Sequence, residues 1–572
     1  MTPPAWAELV AASNFSFLRG ASHPKTLVLT SLLLGQAGLG LADRNTVAGV
    51  VRAWSALKQL REDGWSPPEK LRDGGSPGEI RWQEDPLNDP ALVDQVRERA
   101  GAFRLLTGTR LGFADGSPDI VAYPEDREGW GRLTRLLTLG NRRAIKGDCH
   151  LNLADLLANP EGLLLIVMPG RNRDGLPALL DRLNEVRPGA VWLGATMPRR
   201  GDDRRQLARL GEIAARASTP LLATNNVLYH APSERDLQDV LTCIREGTSI
   251  DQAGRRLLAN GERHLKTPAE MARLFADTPD ALAEAMELLK RPIFDLSDIR
   301  YQYPEEPIPP GRTPQVWLEQ LVEERLPLRY PEGVPDKVRA TLAKELAYID
   351  ARDLAPYFLT IHDIVREADN RRILCQGRGS AANSAVCFVL GITSVDPAHH
   401  DLLFERFMSA DRNEPPDIDV DFEHERREEI IQYIYGRYGR ERAGIAATVI
   451  RYRPRSAIRE VGKALGLTED VTARLASSQW GNWGSEIPDR DVLQAGLDPA
   501  NPMIRRAVVM AGRILGFPRH LSQHVGGFIL TRGRLDELVP IGNAAMADRT
   551  FIEWDKDDID ELGLMKVDVL AL

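Results

Sequence analysis

The sequence predicts an α/β protein with more than one domain. With 572 residues, 43% of them hydrophobic, the chain has enough apolar side chains for several packed cores. Short apolar runs such as LLLIVMP, AVWLGATMP and PLLATNNVLYH are separated by helix-like segments, which is typical of an α/β barrel or a layered α/β domain. Nearer the end of the chain, the predicted strand IDVDF instead alternates apolar and acidic residues. Together these features favour a multidomain α/β fold.

Composition limits the location and the partners of the protein. The formal net charge of −9 argues against uniform coating by nucleic acid and leaves room for a local basic groove. The four cysteines are isolated, so neither a zinc knuckle nor a disulfide framework is expected. The start MTPPAWAELV lacks a secretory signal pattern, and Leu27 to Ala42 is too short and too polar to span a bilayer. We therefore expect a cytoplasmic protein without a membrane partner.

The first segment extends to about residue 290. The run LGLADRNTVAGVVRAWSALKQL predicts a strand over Leu39 to Ala42, a turn, and a helix from Val47. The stretch Gly64–Glu98 is rich in proline, glycine and charge, which predicts a surface loop of little order. After His23 no histidine follows until His150, whereas metal-dependent phosphoesterase barrels need histidine clusters. A second catalytic metal centre is therefore not expected in this segment.

Residues 265 to 370 have mainly helical spacing. Thr267 precedes Pro268, and Glu270 occupies the third helical position, so a helix is predicted to begin there. The span IRYQYPEEPIPPGR between the helices predicts an extended, proline-rich linker. These helices are most simply interpreted as packing elements.

The motif RRILCQGRGSAANS predicts a phosphate-binding turn. We expect a strand over Arg372–Cys375, a tight turn over Gly377–Ser380 and a helix from Ala381, with Arg378 beside the backbone N–H groups. GRGSAA also matches the loose dinucleotide fingerprint, with Asp396 near the expected distance. An acidic strand follows instead of a βαβ continuation, so a nicotinamide or flavin fold is not favoured.

The stretch PPDIDVDFEHERREE predicts a strand that carries a metal site. Asp419 and Asp421 are two residues apart, so both carboxylates leave the same face, while Ile418, Val420 and Phe422 point into a core. Desolvated carboxylates need a compensating cation, and hard oxygen ligands suit Mg²⁺. The alternative is an exposed edge strand with a polar face. The following EHERREE is interpreted as a solvated charged turn.

The segment RYRPRSAIREVGKALGL concentrates positive charge in an acidic chain. Its basic residues would neutralise phosphates and make binding to nucleic acid steeply salt-dependent. The candidate DNA-binding residues are Arg451, Arg453, Arg455, Arg459 and Lys463. The alternative is a structural helix with exposed arginines.

Two further polar groups precede the end of the chain. In FPRHLSQHVGGFILTRG, the side chains of His520, Ser522 and His524 are expected ahead of a strand, in a structural or substrate-contacting role. In the final strand KVDVL, Lys566 and Asp568 share one face by period two. A third carboxylate aligned with the first pair would complete a two-metal phosphoryl-transfer site, and the lysine would offset charge on a departing polyphosphate.

The chain resembles the bacterial family C DNA polymerases of the polymerase III alpha subunit type. The resemblance rests on a combination of motifs: GRGSAANS, LLFERFMS, PPDIDVDFEHERREE, RYRPRSAIREVGKALG, SQHVGGFIL and LGLMKVDVL. The stretches SNFSFLRGASHP and LTLGNRRAIKG are most similar to the error-prone, damage-inducible branch. The resemblance covers residues 7 to 572 apart from the insertion near 64–98.

The resemblance implies a PHP-type α/β barrel followed by a polymerase-beta-like nucleotidyltransferase palm with an inserted, mainly helical thumb. The implied boundaries are 1–285 for the PHP domain, 286–445 and 524–572 for the two parts of the palm, and 446–523 for the thumb. Competent PHP domains carry His-x-His where this chain has Val10 and Ala12, and Asn225-Asn226 stand in the last motif. A metal-free PHP domain without proofreading is therefore expected.

The implied activity is that of an error-prone DNA-directed DNA polymerase for damage-induced mutagenesis and translesion synthesis. A primer 3′-hydroxyl would attack the α-phosphate of a deoxynucleoside triphosphate, with two Mg²⁺ ions as cofactors. By motif, the metal-binding catalytic residues would be Asp419, Asp421 and Asp568. The residues that bind the nucleotide would be Arg378, Gly379, Ser380 and Lys566. Arg455 and Arg459 would lie near primer-template DNA. A sliding clamp and accessory mutagenesis proteins are the further implied partners.

Two other functions stay open on the sequence. The chain stops four residues after Asp568, so the resemblance implies a C-terminally truncated chain without fingers and C-terminal domains. Such a chain could be a non-catalytic DNA-binding or partner-binding module. Phosphoesterase activity in the first domain is the third hypothesis, and it would require nuclease activity that survives loss of the acidic strand.

Overall fold

The computed structural model describes residues 4–62, 90–170, 173–305, 307–396, 398–399, 418–478 and 487–571. Most of the predicted loop insertion, up to residue 89, lies outside the described residues. Its last part was wrongly predicted as a loop, because Pro90–Ala100 forms a helix. The spacing of Leu92, Val96 and Ala100 in PALVDQVRERA is that of an amphipathic helix, which the charge of the preceding segment obscured.

The described chain contains fourteen strands. They are β1 Ala7–Ala11, β2 Gly38–Arg44, β3 Arg104–Leu111, β4 Ile120–Pro124, β5 Leu163–Val167, β6 Val191–Ala195, β7 Leu221–Ala223, β8 Cys375–Gly379, β9 Ile418–Phe422, β10 Ala443–Arg451, β11 Pro518–Leu530, β12 Ile541–Asn543, β13 Thr550–Ile552 and β14 Lys566–Ala571.

The described chain contains twenty-one α-helices. They are α1 Pro24–Leu33, α2 Val50–Glu62, α3 Pro90–Ala100, α4 Arg127–Arg143, α5 Leu153–Ala158, α6 Leu176–Val186, α7 Asp203–Arg216, α8 Arg235–Glu246, α9 Ile250–Ala253, α10 Pro268–Leu274, α11 Asp280–Lys290, α12 Pro314–Arg329, α13 Asp336–Ala351, α14 Ala355–Arg371, α15 Ala385–Leu390, α16 Arg427–Tyr438, α17 Pro454–Ala464, α18 Glu469–Ser477, α19 Asp489–Gln494, α20 Pro502–Ile514 and α21 Lys556–Glu561.

The chain divides into two compact units, each with a seven-stranded sheet. Unit 1 consists of Met1–Asp298 and Val449–Leu521, and unit 2 of Ile299–Thr448 and Ser522–Leu572. The α/β class predicted from the alternating apolar runs is confirmed in both units. The boundaries predicted for a barrel, a palm and a thumb stay predictions.

The sheet of unit 1 follows the chain order β1-β2-β3-β4-β5-β6-β7. Strands β1 to β3 pair in parallel, as do β5 to β7, while β4 is antiparallel to both of its neighbours. A parallel bridge between Ala11 and Val227 connects the residues after β7 back to β1. The predicted strand at Leu39 is confirmed as β2, and the helix expected from Val47 begins at Val50.

The segment Val449–Leu521 belongs to unit 1 because its helices share a hydrophobic core with α8. The buried side chains of this core include Leu237, Val240, Leu241, Ile458, Val461, Ala507 and Ala511. At its edge, Arg513 of α20 forms ion pairs with Glu234 at 2.9 Å and with Asp236 at 2.8 Å. Apolar packing and paired charges together fix the basic helix α17 onto unit 1.

The predicted helical segment between residues 265 and 370 is confirmed. Helix α10 begins where expected, and the Thr267 hydroxyl accepts a hydrogen bond from the Glu270 N–H at 3.2 Å. None of the helices in the described part of the chain combines the length and the hydropathy that a bilayer crossing requires.

The sheet of unit 2 has the order β12-β13-β10-β11-β14-β9-β8. Strand β9 pairs in parallel with β14 and antiparallel with β8, and β14 pairs antiparallel with β11. The two acidic segments of the sequence thus become neighbouring strands inside one sheet, with β9 next to the edge strand β8. The outward-facing edge strand considered as an alternative for β9 is wrong, since β9 has a partner on each side.

Three local predictions in unit 2 need correction. The strand expected at Arg372–Cys375 is β8, shifted toward the C-terminus, because Arg372 ends α14 in a left-handed conformation with φ of 57°. The helix expected from Ala381 is first a 3₁₀ turn over Ser380–Asn383, and α15 follows at Ala385. The residues from His520 to His524 lie within the long strand β11 and not ahead of it.

Candidate functional site

Three aspartates lie side by side on the central strands of unit 2. Asp419 and Asp421 alternate with buried Ile418, Val420 and Phe422, so both carboxylates leave the same face of β9. Asp568 on β14 is the register partner of Asp419. Paired strands are about 4.8 Å apart, which places the third carboxylate beside the first two.

Two cationic side chains compensate these carboxylates. Arg378 on β8 pairs with Asp419 in the strand register, and its guanidinium lies 3.2 Å from Asp419 Oδ2 and 2.7 Å from Asp421 Oδ2. Lys566 forms a short ion pair with Asp568 Oδ2 on the same strand. The structure therefore brings together five residues that were predicted as catalytic or nucleotide-binding.

The carboxylates are crowded enough to disfavour their charged form. The pKa of Asp419 is raised by burial and, next in size, by the neighbouring Asp568 carboxylate, against the opposing effect of Arg378 and Lys566. Asp568 has only 3% of its surface exposed, and its Oδ1 atom has no hydrogen-bond partner. A buried carboxylate oxygen without a donor is costly, and a cation would relieve that cost.

The donor set fits a divalent cation of the magnesium type. Mg²⁺ prefers carboxylate oxygens, and Asp568, whose Oδ1 atom has no hydrogen-bond partner, is the register partner of Asp419. As the side chains stand, no three carboxylate, imidazole or thiolate groups in the described residues form a ready cage for a metal. Arg378 and Lys566 supply the positive charge that now neutralises the carboxylates, so a bound metal would have to displace them.

A pair of glycines allows β11 to approach this site. A Cβ atom added to Gly527 would lie 2.9 Å from Asp568 Oδ1 and 2.7 Å from Lys566 Cδ, and one added to Gly526 would lie 1.9 Å from the Val569 carbonyl oxygen. The sequence-based prediction of a strand in this segment did not anticipate this contact. Two adjacent glycines within an apolar run, which mark a close backbone approach, were the available signal.

His524 lies at the edge of the same site. Its Nδ1 atom accepts hydrogen bonds from the N–H groups of Gly526 at 3.3 Å and Gly527 at 2.8 Å, and it is 4.0 Å from Asp568 Oδ1. Among the described residues, His520 is instead exposed and contacts the Leu521 carbonyl. Of the two histidines, only His524 is near the acidic strands.

A cluster of tyrosines supports the acidic strands, and the sequence analysis missed it. The hydroxyl of buried Tyr357 accepts a hydrogen bond from the Ile418 N–H at 3.1 Å, next to Asp419. Tyr303 packs edge to face against both Tyr357 and Tyr301, and the hydroxyl of Tyr301 donates to the Leu530 carbonyl at 2.6 Å. Nothing in the local sequence distinguishes these tyrosines from ordinary core residues.

The predicted phosphate-binding turn is only partly available for a ligand. Glu345, fully buried, accepts hydrogen bonds from the N–H groups of Ala385 at 2.8 Å and Val386 at 2.9 Å, at the start of α15. Burial raises the pKa of Glu345 to about 7 in spite of these bonds. An internal carboxylate thus takes the helix N–H groups that a phosphate would use. The Gly379–Ser380 turn, with Gly379 at φ of 64°, lies outside this contact.

The five basic residues predicted to bind DNA lie in unit 1 and differ in their environments. Arg451 is half-buried at the end of β10 and donates to the Gly516 carbonyl at 3.1 Å. Arg453 precedes the first residue of α17. Arg455, Arg459 and Lys463 are exposed and four residues apart, so they share one face of α17.

The positions of unit 1 that departed from the PHP pattern, and Asp43 beside them, are apolar or hydrogen-bonded. Val10 and Ala12 are buried. Asp43 is fully buried and accepts hydrogen bonds from the Ser13 and Ser16 hydroxyls, both at 2.8 Å, and burial raises its pKa to about 6. Asn225 donates to the carbonyls of residues 262 and 264 at 2.6 Å.

This chain is a mixed α/β protein whose acidic centre, on adjacent strands of unit 2, is flanked by an arginine and a lysine. Residues 316–571 match the family model described as the bacterial DNA polymerase III alpha NTPase domain, a range that contains this centre. The motifs predicted a resemblance to that bacterial DNA polymerase III alpha family, and this match confirms the resemblance over residues 316–571.

Curated relatives match the whole length of the chain. It is 56% identical, over 574 residues, to an error-prone DNA polymerase of Rhodopseudomonas palustris (strain BisB5) and 53% identical, over 573 residues, to one of Caulobacter vibrioides. These alignments cover 100% of this chain and 48% and 49% of the relatives, respectively. The chain therefore spans about half the length of the curated relatives it matches.

A solved structure described as a metal-dependent phosphoesterase from Bifidobacterium adolescentis is also similar. It is 17% identical, with a TM-score of 0.23, and the match covers 39% of this chain and 88% of that one. A likeness at this level does not assign a fold to unit 1.

Proposed function

We propose that this chain carries the catalytic centre of an error-prone DNA-directed DNA polymerase that acts in damage-induced mutagenesis and translesion synthesis. The observation that supports it most strongly is the in-register pairing of Asp568 with Asp419, beside Asp421 and two cations. The curated relatives named error-prone DNA polymerase support the choice of reaction.

In this proposal, Asp419, Asp421 and Asp568 hold two Mg²⁺ ions. When bound, the metals would activate the attacking primer hydroxyl and stabilise the leaving oxygen. The three carboxylates supply the oxygen ligands, and the unpartnered Oδ1 of Asp568 is available without breaking an existing bond. The pKa of Asp419, raised by burial and by Asp568, would fall once a cation neutralises the group.

Arg378 and Lys566 exchange partners during nucleotide binding. Both now neutralise carboxylates, and both would be released when metal takes over that role. A guanidinium can hold two phosphate oxygens at once, so Arg378 is suited to the triphosphate, together with the Gly379–Ser380 turn. Lys566 would then offset the charge that develops on departing pyrophosphate.

The exposed face of α17 would contact the primer-template backbone. Arg455, Arg459 and Lys463 repeat on one helix face, which is suited to successive phosphates, whereas half-buried Arg451 has a partly structural role. A sliding clamp and accessory mutagenesis proteins remain proposed partners of the longer relatives.

Primer extension tests this function. We would compare a longer protein of the length of the relatives with the Asp421→Asn variant and with Asp336→Asn, an exposed aspartate at the start of α13, as the matched control. Incorporation that depends on Mg²⁺, is lost in Asp421→Asn and is kept in Asp336→Asn supports the proposal. Equal extension by all three proteins would contradict it.

The same assay on the 572-residue chain distinguishes the polymerase function from that of a non-catalytic DNA-binding module. Binding of primer-template DNA without any incorporation by this chain would favour a non-catalytic DNA-binding module. Incorporation opposite a damaged template base, compared with an undamaged one, tests the translesion part of the proposal.

A further inference from the structure

Three arginines meet at one end of the sheet of unit 1. Arg44 is the last residue of β2, and its register partner on β3 is Arg110. Arg263 contacts Asn226, which follows β7. We call Arg44, Arg110 and Arg263 the arginine cluster. None of these residues belongs to the acidic centre or to the basic face of α17.

Two shared acceptors hold the cluster together. Arg44 Nη1 and Arg110 Nε donate to the same oxygen of Asp119, at 2.6 and 2.8 Å. Arg110 Nη1 donates to Asn226 Oδ1 at 2.9 Å, and Arg263 donates to the same oxygen. Asn226 adopts a left-handed conformation with φ of 50°, which presents its side chain to both arginines. In the described residues, the ion pairs of the cluster are formed with Asp119 alone, and buried Glu8 also interacts electrostatically with Arg263.

Burial and, after it, neighbouring arginines disfavour the charged form of two guanidiniums at this place. The pKa of Arg263 is lowered to about 9, by burial and then by Arg110. The pKa of Arg19 is lowered to about 10, by burial and then by Arg245 and Arg44, with Asp119 opposing. Guanidinium groups are normally protonated far above this range. Their crowding therefore favours the binding of an anion.

The cluster also has donor atoms that the described residues leave without an acceptor. Within the described residues, Arg44 Nε and Nη2, Arg110 Nη2 and Arg263 Nη1 have no protein acceptor. Arg44 and Arg110 have 30% and 20% of their side chains exposed, so a small ligand can reach them. The absence of a side chain at Gly112 makes room for Arg44, since a Cβ there would lie 2.1 Å from Arg44 Nη2.

We propose that the arginine cluster of unit 1 binds a tetrahedral oxyanion of the phosphate class. Planar guanidinium forks pair with two oxygens of such an anion, and the partly buried setting strengthens each bond. The anion could be free inorganic phosphate or the phosphate group of a mononucleotide, which share this chemistry. The site does not depend on the proposed polymerase function, and it needs no metal.

Thermal unfolding and calorimetric titration of the full chain test this site. Both would be done in EDTA, so that metal bound at the aspartates of unit 2 cannot recruit phosphate. Inorganic phosphate should raise the Tm and bind saturably, whereas chloride at equal ionic strength should do neither. Tighter binding of dAMP than of phosphate would identify a mononucleotide as the source, and equal binding would identify the free anion.

Asn226→Asp is the decisive variant, because it changes charge with almost no change in volume. Its new carboxylate would neutralise Arg110 and Arg263, so we expect phosphate affinity to fall about tenfold or more while the Tm without phosphate is maintained or raised. Arg110→Gln should also lose binding. The matched control is Arg132→Gln on α4, whose arginine is paired with Glu128 on the surface.

Two results would overturn the proposal. One is a wild-type chain whose Tm responds to phosphate no more than to chloride. The other is an Asn226→Asp variant that binds phosphate as tightly as the wild type, which would leave the cluster with a structural role alone. Asp419→Asn should not affect phosphate binding in EDTA, so failure of this site and failure of the polymerase centre are distinguishable.

Discussion

Each unit carries a cluster of like-charged side chains on neighbouring parallel strands, negative in unit 2 and positive in unit 1. In unit 2, the parallel register partners Asp419 and Asp568 place carboxylates beside each other. In unit 1, the parallel register partners Arg44 and Arg110 place guanidiniums beside each other. Each centre is only partly neutralised by its surroundings. Paired positions on parallel strands thus concentrate charge of one sign, and that sign decides whether a cation or an anion is attracted.

The largest expected effect is the loss of catalysis in Asp568→Asn. This change removes the charge that faces Asp419 and leaves Lys566 without its ion pair. We expect primer extension to fall about 10³-fold or more, which corresponds to about 4 kcal/mol of transition-state stabilisation. Single-nucleotide incorporation kinetics would measure it, and circular dichroism would show that the variant is folded. Activity within a factor of ten of the wild type would remove the acidic centre from the mechanism.

Gly526→Ala should be the most destabilising of the conservative changes. Its Cβ atom would lie 1.9 Å from the Val569 carbonyl oxygen, and backbone atoms cannot yield as a flexible side chain can. We expect the free energy of unfolding to fall by about 1–3 kcal/mol, the usual cost of overpacking. Urea denaturation would measure it.

Gly436→Ala on α16 is the matched control for that change, since no atom lies within 4 Å of its added Cβ. An alanine in a helix is more favourable than a glycine by about 0.5–1 kcal/mol, so this variant should be slightly more stable. Equal effects of the two alanines would contradict the close approach of β11 to the acidic strands.

Glu345 represents a third kind of centre, a buried carboxylate compensated by neutral donors. Its folded-state pKa is about 7, above the ordinary value of 4.5, so the folded state binds its proton more tightly. The sign follows from linkage: Glu345 favours folding most below pH 4.5, and its contribution falls as the pH rises to about 7.

Glu345→Gln isolates this contribution. At pH 5 the folded state holds Glu345 as a protonated carboxyl, whose hydroxyl oxygen can still accept a hydrogen bond, whereas an amide nitrogen cannot. The bonds donated by Ser384, Ala385 and Val386 would then not all be accepted, so we expect the free energy of unfolding to fall by about 1–3 kcal/mol at pH 5. The difference in the free energy of unfolding between the variant and the wild type should shrink toward pH 8, because the wild type loses the contribution of Glu345 as the pH rises. Urea titrations at both pH values would measure it, and a difference that grows with pH would contradict the prediction.

The smallest expected effects belong to the basic face of α17. Arg455→Gln and Arg459→Gln should each reduce the dependence of log K on log salt by about one, because each removes one phosphate contact. Stability should change by no more than about 0.5 kcal/mol, since both side chains are exposed. Fluorescence anisotropy with primer-template DNA would measure the slope. Arg182→Gln on α6, also exposed, is the control that should leave the slope unchanged.

Features that depend on residues close together in the chain could be predicted from the sequence. The alternation in IDVDF and in KVDVL fixes which side chains share a face, because successive residues of a strand point in opposite directions. The helix start at Thr267 follows from local capping chemistry. The motif combination predicted a resemblance to the bacterial DNA polymerase III alpha family, which the matching family model confirmed over residues 316–571.

Which strand and helix faces come into contact depends on the tertiary structure and could not be predicted from the sequence. The alignment of Asp568 with Asp419, the position of Arg378 opposite both carboxylates on β9, and the capture of the α15 N–H groups by Glu345 all join residues far apart in the chain. So do the contacts that link Arg44, Arg110 and Arg263. Strand register and buried contacts depend on packing across the whole core, and a shift of one residue would turn every side chain to the other face.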